Sequence, residues 1–500
     1  MSFIKKLAGD TVLYGISSIV GRFLNWLLVI VHTRVFELPR VLSDNVELYA
    51  WVIPLNVIYT FGMETTFFRY GSKKENQQDY FNHILSFVLL LGLFLSCLIY
   101  FSATSIVNYL EYPGKAHLVK WLAIIMAVDA ICAIAFVKLR AQNKARRFVR
   151  IKLINISINI GLNVFYFIFC QGILLGNFLP SLQPFAAYFY KPSIGPDYII
   201  WANYVASTVT LVLLWKEFIG FRFKINWEKL QPVLQYAYPL LIMGLAGSIN
   251  LTADRLMFRK LLPDGFYSGL STEDAFSIYS NVYKLSIFMT LVVQAYRYAA
   301  DPFFFSKMGD KNSPKMIAIS TKWFTLACIV IWLAVSINLD WIGLLLGPSY
   351  RSGLVVVSTL LLANLFIGVY GNISIWFKLT DKTHYGTWIT FGAMLITIAL
   401  NMVLIPKLGY MGCAYSFAFS SFAMVAACYI LGQKHFPVPY ESLKIFLYLL
   451  AAGILILLNS YFKIEHLGFS IPVHLLQIFG FLAAIYFFER KGFDELKMAQ

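Results

Sequence analysis

The sequence is short of charge. Only 13% of its 500 residues are Asp, Glu, Lys or Arg, against roughly 25% in a soluble globular domain. That deficit excludes an ordinary soluble fold. Paired cysteines are missing too. Cys97, Cys132, Cys170, Cys328, Cys413 and Cys428 lie inside apolar segments, with no CxxC and no metal-ligand spacing, and read as small packing residues. His83, His117, His384 and His435 are scattered in loops or at the ends of apolar runs, and no pair has metal-ligand spacing. No polar stretch is long enough to be a catalytic domain. No small-residue cleavage site follows Lys5 and Lys6; the apolar stretch behind them carries Arg22 and runs to residue 33, so it reads as a retained first span.

What fills the chain instead is apolar sequence: 59% hydrophobic, 17% aromatic, mean hydropathy +0.69. A helix needs about 20 apolar residues to cross a bilayer, and the runs predict an all-α polytopic membrane protein of about fourteen spans. Their limits fall near 11–33, 47–70, 82–107, 117–138, 148–170, 197–215, 233–258, 276–300, 315–337, 353–377, 385–405, 410–431, 441–460 and 470–488. The net charge of +16 would suit nucleic acid, but Lys and Arg cluster in short loops, so the partner they imply is the lipid bilayer and no nucleic acid. With the N-terminus inside, cytoplasmic loops hold about 28 basic residues and outer loops about 11, which makes both termini cytoplasmic. The densest inner run, "KLRAQNKARRFVRIK" (138–152), has seven basic residues and no acid. It reads as an orientation signal, with a lipid-phosphate or nucleic-acid site as the alternative. The longest outer connection, 171–197, is rich in Pro, Phe and Tyr. It is expected to rest on headgroups, or else to touch a sugar.

The chain repeats itself. "HTRVFELP" (32–39) and "ADRLMFRKLLP" (253–263) end comparable spans, and the stretches 47–70 and 276–299 open on similar aromatic patterns. "FVKLRAQNKA" (136–145) matches "WFKLTDKTHY" (376–385), and a Leu-Asn pair recurs at 162–163 and 400–401. Their common order, at offsets of about 220–240 residues, predicts a duplicated six-helix bundle. The expected divisions are 1–220, 221–435 and, for two added helices and a tail, 436–500. An even number of spans per copy puts the repeat axis along the membrane normal, with a central crevice.

Charges inside spans are costly and mark function by default. They are Arg22, Glu64, Asp129, Asp254, Arg255, Lys284 and the pair Arg297 and Asp301. In the repeat, Arg22 aligns with Met243 and Lys284 with Pro54, so neither charge is needed to fold the bundle twice. Both are expected to line a cavity. Glu64 and Asp129 either exchange protons or neutralise nearby cations. Asp254–Arg255 aligns with Thr33–Arg34 and reads as an interfacial anchor with a snorkelling arginine. Arg297 and Asp301 share a helix face four residues apart, ahead of Pro302. They are either a charge-paired helix end or the mouth of a polar pathway.

Four stretches carry a resemblance: "KKLAGDTVLYGISSIVGRFLN" (5–25), "YTFGMETTFFRY" (59–70), "QAYRYAADPFFFSK" (294–307) and "LNMVLIPKLGYMGCA" (400–414). They resemble the oligosaccharide (O-antigen-type) flippases. These form the polysaccharide-transport branch of the superfamily that also holds MATE multidrug exporters and lipid II flippases. The resemblance implies two six-helix lobes around a cavity in a bacterial inner membrane. It also implies a polyprenyl-diphosphate-linked oligosaccharide as substrate, flipped by alternating access for cell-surface polysaccharide biosynthesis. Cationic cavity residues would serve the diphosphate, and Arg22, Lys284 and Arg297 fit that role. Glu64, Asp129 and Asp301 would balance charge or couple transport to H+ or Na+. No cofactor, metal or enzymatic activity is implied. The rival readings are an ion-coupled drug or metabolite exporter, a membrane glycan polymerase or ligase, and a scaffold. An exporter of cations would favour acidic residues, whereas a polymerase or ligase would carry catalytic groups on a sizeable outer loop. A scaffold leaves the basic positions unexplained.

Overall fold

The computed structural model describes the backbone of residues 3–71, 76–306, 313–380, 382–462 and 467–498. Side chains are described from residue 19 onward, except at 298–299, 301–306, 467 and 491–498. The side chains of Lys5, Lys6 and Asp301 therefore lie outside the described residues. Every regular element among those described is helical, and twelve helices are long and apolar enough to cross a membrane. The two further spans expected from the sequence fall on α1 (Phe3–Val35) and on the short helix Tyr198–Leu213. The latter's 16 residues rise about 24 Å, less than the roughly 30 Å hydrocarbon core. The chain is an all-α polytopic membrane protein.

By its contacts the chain divides into two compact units, Met1–Arg259 and Lys260–Gln500. The first unit continues from α1 with α2 (Ser43–Thr60), α3 (Met63–Tyr70), α4 (Gln77–Phe101), α5 (Ala103–Tyr109), α6 (Ala116–Ala141) and α7 (Ala145–Val164). A wide six-residue turn, Phe165–Cys170, leads to α8 (Gln171–Leu174), followed by α9 (Gln183–Phe189), α10 (Tyr198–Leu213) and α11 (Trp227–Leu261). The second expected span is thus two helices. Phe61 (φ 49°) and Gly62 (φ 68°) turn left-handed between α2 and α3, a conformation that opposes a side chain. A Cβ on Gly62 would also stand 3.0 Å from Leu240 Cβ and 3.2 Å from the Ala237 carbonyl, so α11 crosses the break only because position 62 is glycine.

Lipid is as apolar as leucine, so cohesion in a membrane comes from close packing and polar bridges. Tyr59, Met63, Phe67, Phe81, Ile84 and Ile134 share one buried cluster of α2, α3, α4 and α6. α1 presses on α7 where a Cβ at Gly21 would lie 2.7 Å from Ile156. Polar bridges tie one end of the unit. Lys115 contacts Asp197 at 2.6 Å and Asp44 at 3.4 Å, and His117 contacts Asp197 at 2.8 Å. Burial would lower the Lys115 pKa, but the Asp197 hydrogen bond and both carboxylate charges outweigh it and raise that pKa above its ordinary range. Arg259 donates to Glu47 and to the Leu110 carbonyl, each at 2.8 Å, over the Tyr112 ring. That contact closes α11 onto the first unit.

Asp254–Arg255 departs from its expected role as a snorkelling anchor. Asp254 is 3% exposed and the Arg255 side chain 13%. The guanidinium folds back onto the Leu251 carbonyl and Asp254. A snorkelling arginine extends its head toward water, whereas this one turns back along its own helix. The connection 171–197 presents an apolar surface. Leu175, Phe185 and Tyr188 are exposed, while Tyr166, Tyr190 and Tyr198 stack beneath at 4.2 and 5.2 Å. Five of the six cysteines are buried and Cys97 is exposed.

In the second unit, α12 (Thr272–Tyr283) starts from a reciprocal Ser271–Asp274 cap. A tight turn, Lys284–Ser286, separates it from α13 (Ile287–Ser306). Pro54, the position aligned with Lys284 in the expected repeat, sits inside α2. The unit continues with α14 (Ser313–Ile337), α15 (Leu339–Ile342), α16 (Val357–Ile373), α17 (Ile375–Leu379), α18 (His384–Leu408), α19 (Tyr410–His435), α20 (Ser442–Tyr461) and α21 (Leu467–Met498). The last two are peripheral: 6% of α20's apolar window is buried, against 61% for α14.

Candidate functional site

The first unit contains a polar cavity of about 330 Å³. Four charged side chains line it: Glu64 from α3, Asp129 and Arg140 from α6, and Lys152 from α7. Each is placed by a local rule. The left-handed break at Phe61–Gly62 starts α3 and brings Glu64 into its first turn. Asp129 and Arg140 are eleven residues apart on α6, about three turns and about 16 Å, so the cavity runs from the end of that helix well into it. On α7, Lys152, Asn155, Asn159 and Asn163 recur every three or four residues, which puts them on one face.

The two acid–base couples differ. Glu64 and Arg140 touch at 3.3 Å, and Arg140 also covers the Phe68 ring. Asp129 sits beside Ser207 and feels the Lys152 charge, but no ion pair within contact distance joins them among the described residues. Lys152 lies over Phe136 at 4.4 Å, seven residues inside α7, and is nonetheless exposed. An ammonium that water reaches while protein walls surround it marks a wet cavity. The space between Asp129 and Lys152 can take water or a small ion.

A ladder of amides leads away from the cavity. Asn155 donates to Thr210 at 2.8 Å, and Asn203 donates to the Tyr49 hydroxyl at 3.2 Å. Asn159 reaches Asn203 at 3.5 Å and accepts from Asn163 at 2.9 Å. His32 on α1 meets the Asn163 carbonyl oxygen at 2.8 Å. Such bonds hold helices together in lipid, each contributing about 0.6–2 kcal/mol.

The residues expected from the sequence are thus distributed. Glu64 and Asp129 share the cavity. Arg22 is exposed and has no ion pair among the described residues. It lies on the same face of α1 as Trp26, Val29 and Thr33, which are buried, so that face opens at Arg22. In the second unit, Lys284 is half-buried and donates to Asn281 at 3.1 Å. Arg297 is exposed, its Cδ 3.8 Å from where a Cβ on Gly371 of α16 would stand. The two are thirteen residues apart, about 20 Å along their span, and so do not share one depth. Sequence reasoning missed Lys152, Arg140 and the asparagines. The signal was present in Asn155, Asn159 and Asn163, spaced by four in an apolar span.

No family model matches the chain, and no curated protein is significantly similar to it in sequence. Solved structures do match. The lipid II flippase MurJ in an inward closed conformation superposes with a TM-score of 0.74 at 14% identity, covering 96% of this chain and 99% of its own. An inward-facing MATE-family multidrug resistance transporter of the MOP superfamily gives 0.58 at 12% identity, covering 89% and 96%. A variant of the Vibrio cholerae MATE transporter VcmN gives 0.56 at 12% identity, covering 87% and 98%. The chain has the fold shared by MurJ and the MATE transporters of the MOP superfamily.

Proposed function

We propose that this protein is a flippase for a polyprenyl-diphosphate-linked oligosaccharide, working by alternating access in a bacterial inner membrane with both termini cytoplasmic. The duplicated lobes 1–220 and 221–435 and the added pair 436–500 are part of this reading. The observation that carries it is Arg22: a guanidinium in a membrane helix, exposed and without an ion pair among the described residues, on a helix face where Trp26, Val29 and Thr33 that follow it are buried. A cation left open within a membrane span suits an anionic cargo. The match to a lipid II flippase over almost the whole of both chains favours this reading over the exporter, whose structures leave a tenth of the chain unmatched.

In this reading Arg22, Lys284 and Arg297 meet the diphosphate during the transport cycle, while the polyprenyl tail stays in lipid. Guanidinium and ammonium donors replace the water that the phosphates lose. Asp129, opposite Lys152 without touching it, is the group that takes up the coupling H+ or Na+. Glu64, already paired with Arg140, balances charge.

The test is headgroup translocation in proteoliposomes. Arg22→Ala and Lys284→Ala each remove a charged hydrogen bond to phosphate, worth about 1.5–3 kcal/mol, and are expected to slow flipping about tenfold or more. Wild-type rates in correctly inserted variants would remove these residues from the substrate path. Asp129→Asn should abolish the response to an imposed ion gradient while leaving gradient-free flipping. Gradient-driven efflux of a cationic dye, with no flipping, would establish the exporter instead.

A further inference from the structure

The basic run 138–152 is only partly consumed by the interactions above. Lys138 donates to the Glu217 carbonyl at 2.8 Å and to Gln78, Arg147 pairs with Glu217 at 2.9 Å, and Arg140 and Lys152 line the cavity. Lys144, Arg146 and Arg150 remain exposed, with no ion pair among the described residues. Two of these three do not simply project into water. Arg146 and Arg150, one turn apart on α7, share one open, shallow groove-like face of that single helix, about 630 Å³ in volume, with Val149, Leu153, Ile154 and Ile158. On the helix this groove lies opposite the Lys152–Asn155–Asn159 face, so it is separate from the polar cavity.

The groove is amphiphilic along its length. Both guanidiniums are at the start of α7 and the aliphatic side chains follow. From Arg146 to Ile158 is twelve residues, about 18 Å, close to the depth of one leaflet of a bilayer with a core about 30 Å thick. We propose that this groove binds an anionic phospholipid, its phosphate between Arg146 and Arg150 and an acyl chain along Leu153, Ile154 and Ile158. Guanidinium forks match phosphate oxygens bidentately. Exposed Lys144 precedes α7 and has no apolar track behind it, whereas Arg146 and Arg150 have one. The inference is independent of the transported substrate.

The full-length protein, reconstituted with a mixture of phosphatidylglycerol and phosphatidylcholine, is examined by native mass spectrometry for retained lipid. Phosphatidylglycerol should be retained in preference. Loss of both arginines in Arg146→Ala/Arg150→Ala should weaken that retention about thirtyfold, the effect of removing two basic residues from an anionic headgroup. Arg146→Lys/Arg150→Lys, which keeps the charge should the alanine variant fail to insert, should hold the lipid within a few-fold. The control Lys216→Ala/Lys434→Ala, at exposed basic positions elsewhere, should leave retention unchanged. Undiminished retention in the alanine variant would overturn the proposal, as would an equal loss in the control. A parallel arm adds polyprenyl diphosphate: if that lipid, and not phosphatidylglycerol, is what the arginine variant loses, the assigned occupant is wrong.

Discussion

Removing the Lys322 ammonium should detach the C-terminal helix pair from the second unit. Lys322 on α14 is 8% exposed and contacts two carboxylates, Glu441 at 2.7 Å and Glu489 on α21. Lys444 on α20 completes the group, touching Glu441 and lying 3.9 Å from Glu489. In Lys322→Met, Glu489, 3% exposed, keeps among the described residues only Tyr448 at 3.4 Å and the distant Lys444. Leaving one member of a buried ion pair uncompensated costs about 3–5 kcal/mol. Little packing offsets that loss, since 6% of α20's apolar window is buried. For a unit of this size the cost converts to a fall of about 6–20 °C in the unfolding midpoint, read by thermal unfolding in detergent, with faster proteolysis of the connection at 436–441. The double variant Lys322→Met/Glu489→Gln removes both charges and should recover most of the loss. A midpoint unchanged in the single variant, or a double variant no better than the single, would refute the argument. The cluster also sets a pH dependence. Burial alone would raise the Glu441 pKa, but hydrogen bonds and charge from Lys322 and Lys444 prevail and hold it below its ordinary 4.5. A carboxylate depressed on folding stabilises fully above its unfolded value, and that contribution disappears as pH falls through the lowered native value. Docking should therefore be constant from pH 6 to 8 and loosen only below pH 4.5.

Two further outcomes follow from the first unit. Gly62→Ala should destabilise it by about 1–2 kcal/mol through the left-handed backbone alone, with more from the Leu240 contact at 3.0 Å; an unshifted melting midpoint would remove the strain argument. Arg259→Met takes the cation from Glu47, whose side chain is 5% exposed and keeps only the Tyr112 hydroxyl at 2.8 Å among the described residues, and should cost about 3 kcal/mol, the low end for a broken buried pair, largely recovered when Glu47→Gln is added; cysteine accessibility along the end of α11 should rise in the single variant only.

Helices were legible because apolar run length alone decides whether a segment crosses lipid. Their breaks were not. Hydropathy is blind to φ, so Phe61–Gly62 and Lys284–Ser286 lie unmarked within continuous apolar sequence. The site was half legible. Glu64 and Asp129 stood out as acids in apolar runs, but the bases facing them did not, because Arg140 and Lys152 belong to a run whose density looks like a loop signal. That loop is short: α6 ends at Ala141 and α7 starts at Ala145, so most of the run is already helical and each residue's face decides its fate. The asparagines at 155, 159 and 163 were the cue, since a spacing of four in an apolar helix means a face turned to something polar.

A charge within these spans is explained by what it can reach rather than by its sign. Lys322, Arg259 and Lys138 reach carboxylates or carbonyls within 2.8 Å and are consumed in holding helices together. Substituting them should be read as damage to the scaffold, and activity lost in such variants says nothing about cargo. Asp129 and Lys152 line one cavity with no ion pair between them among the described residues. Arg22 reaches nothing among the described residues and is still exposed. In the flippase reading, that open guanidinium is the one left available to an anionic cargo. The separation is testable as a whole: variants of the first group should lose stability and activity together, whereas Arg22→Ala should lose activity at an unchanged melting midpoint. If Arg22→Ala instead melts early, Arg22 belongs with the scaffold, and the flippase reading loses the residue it rests on.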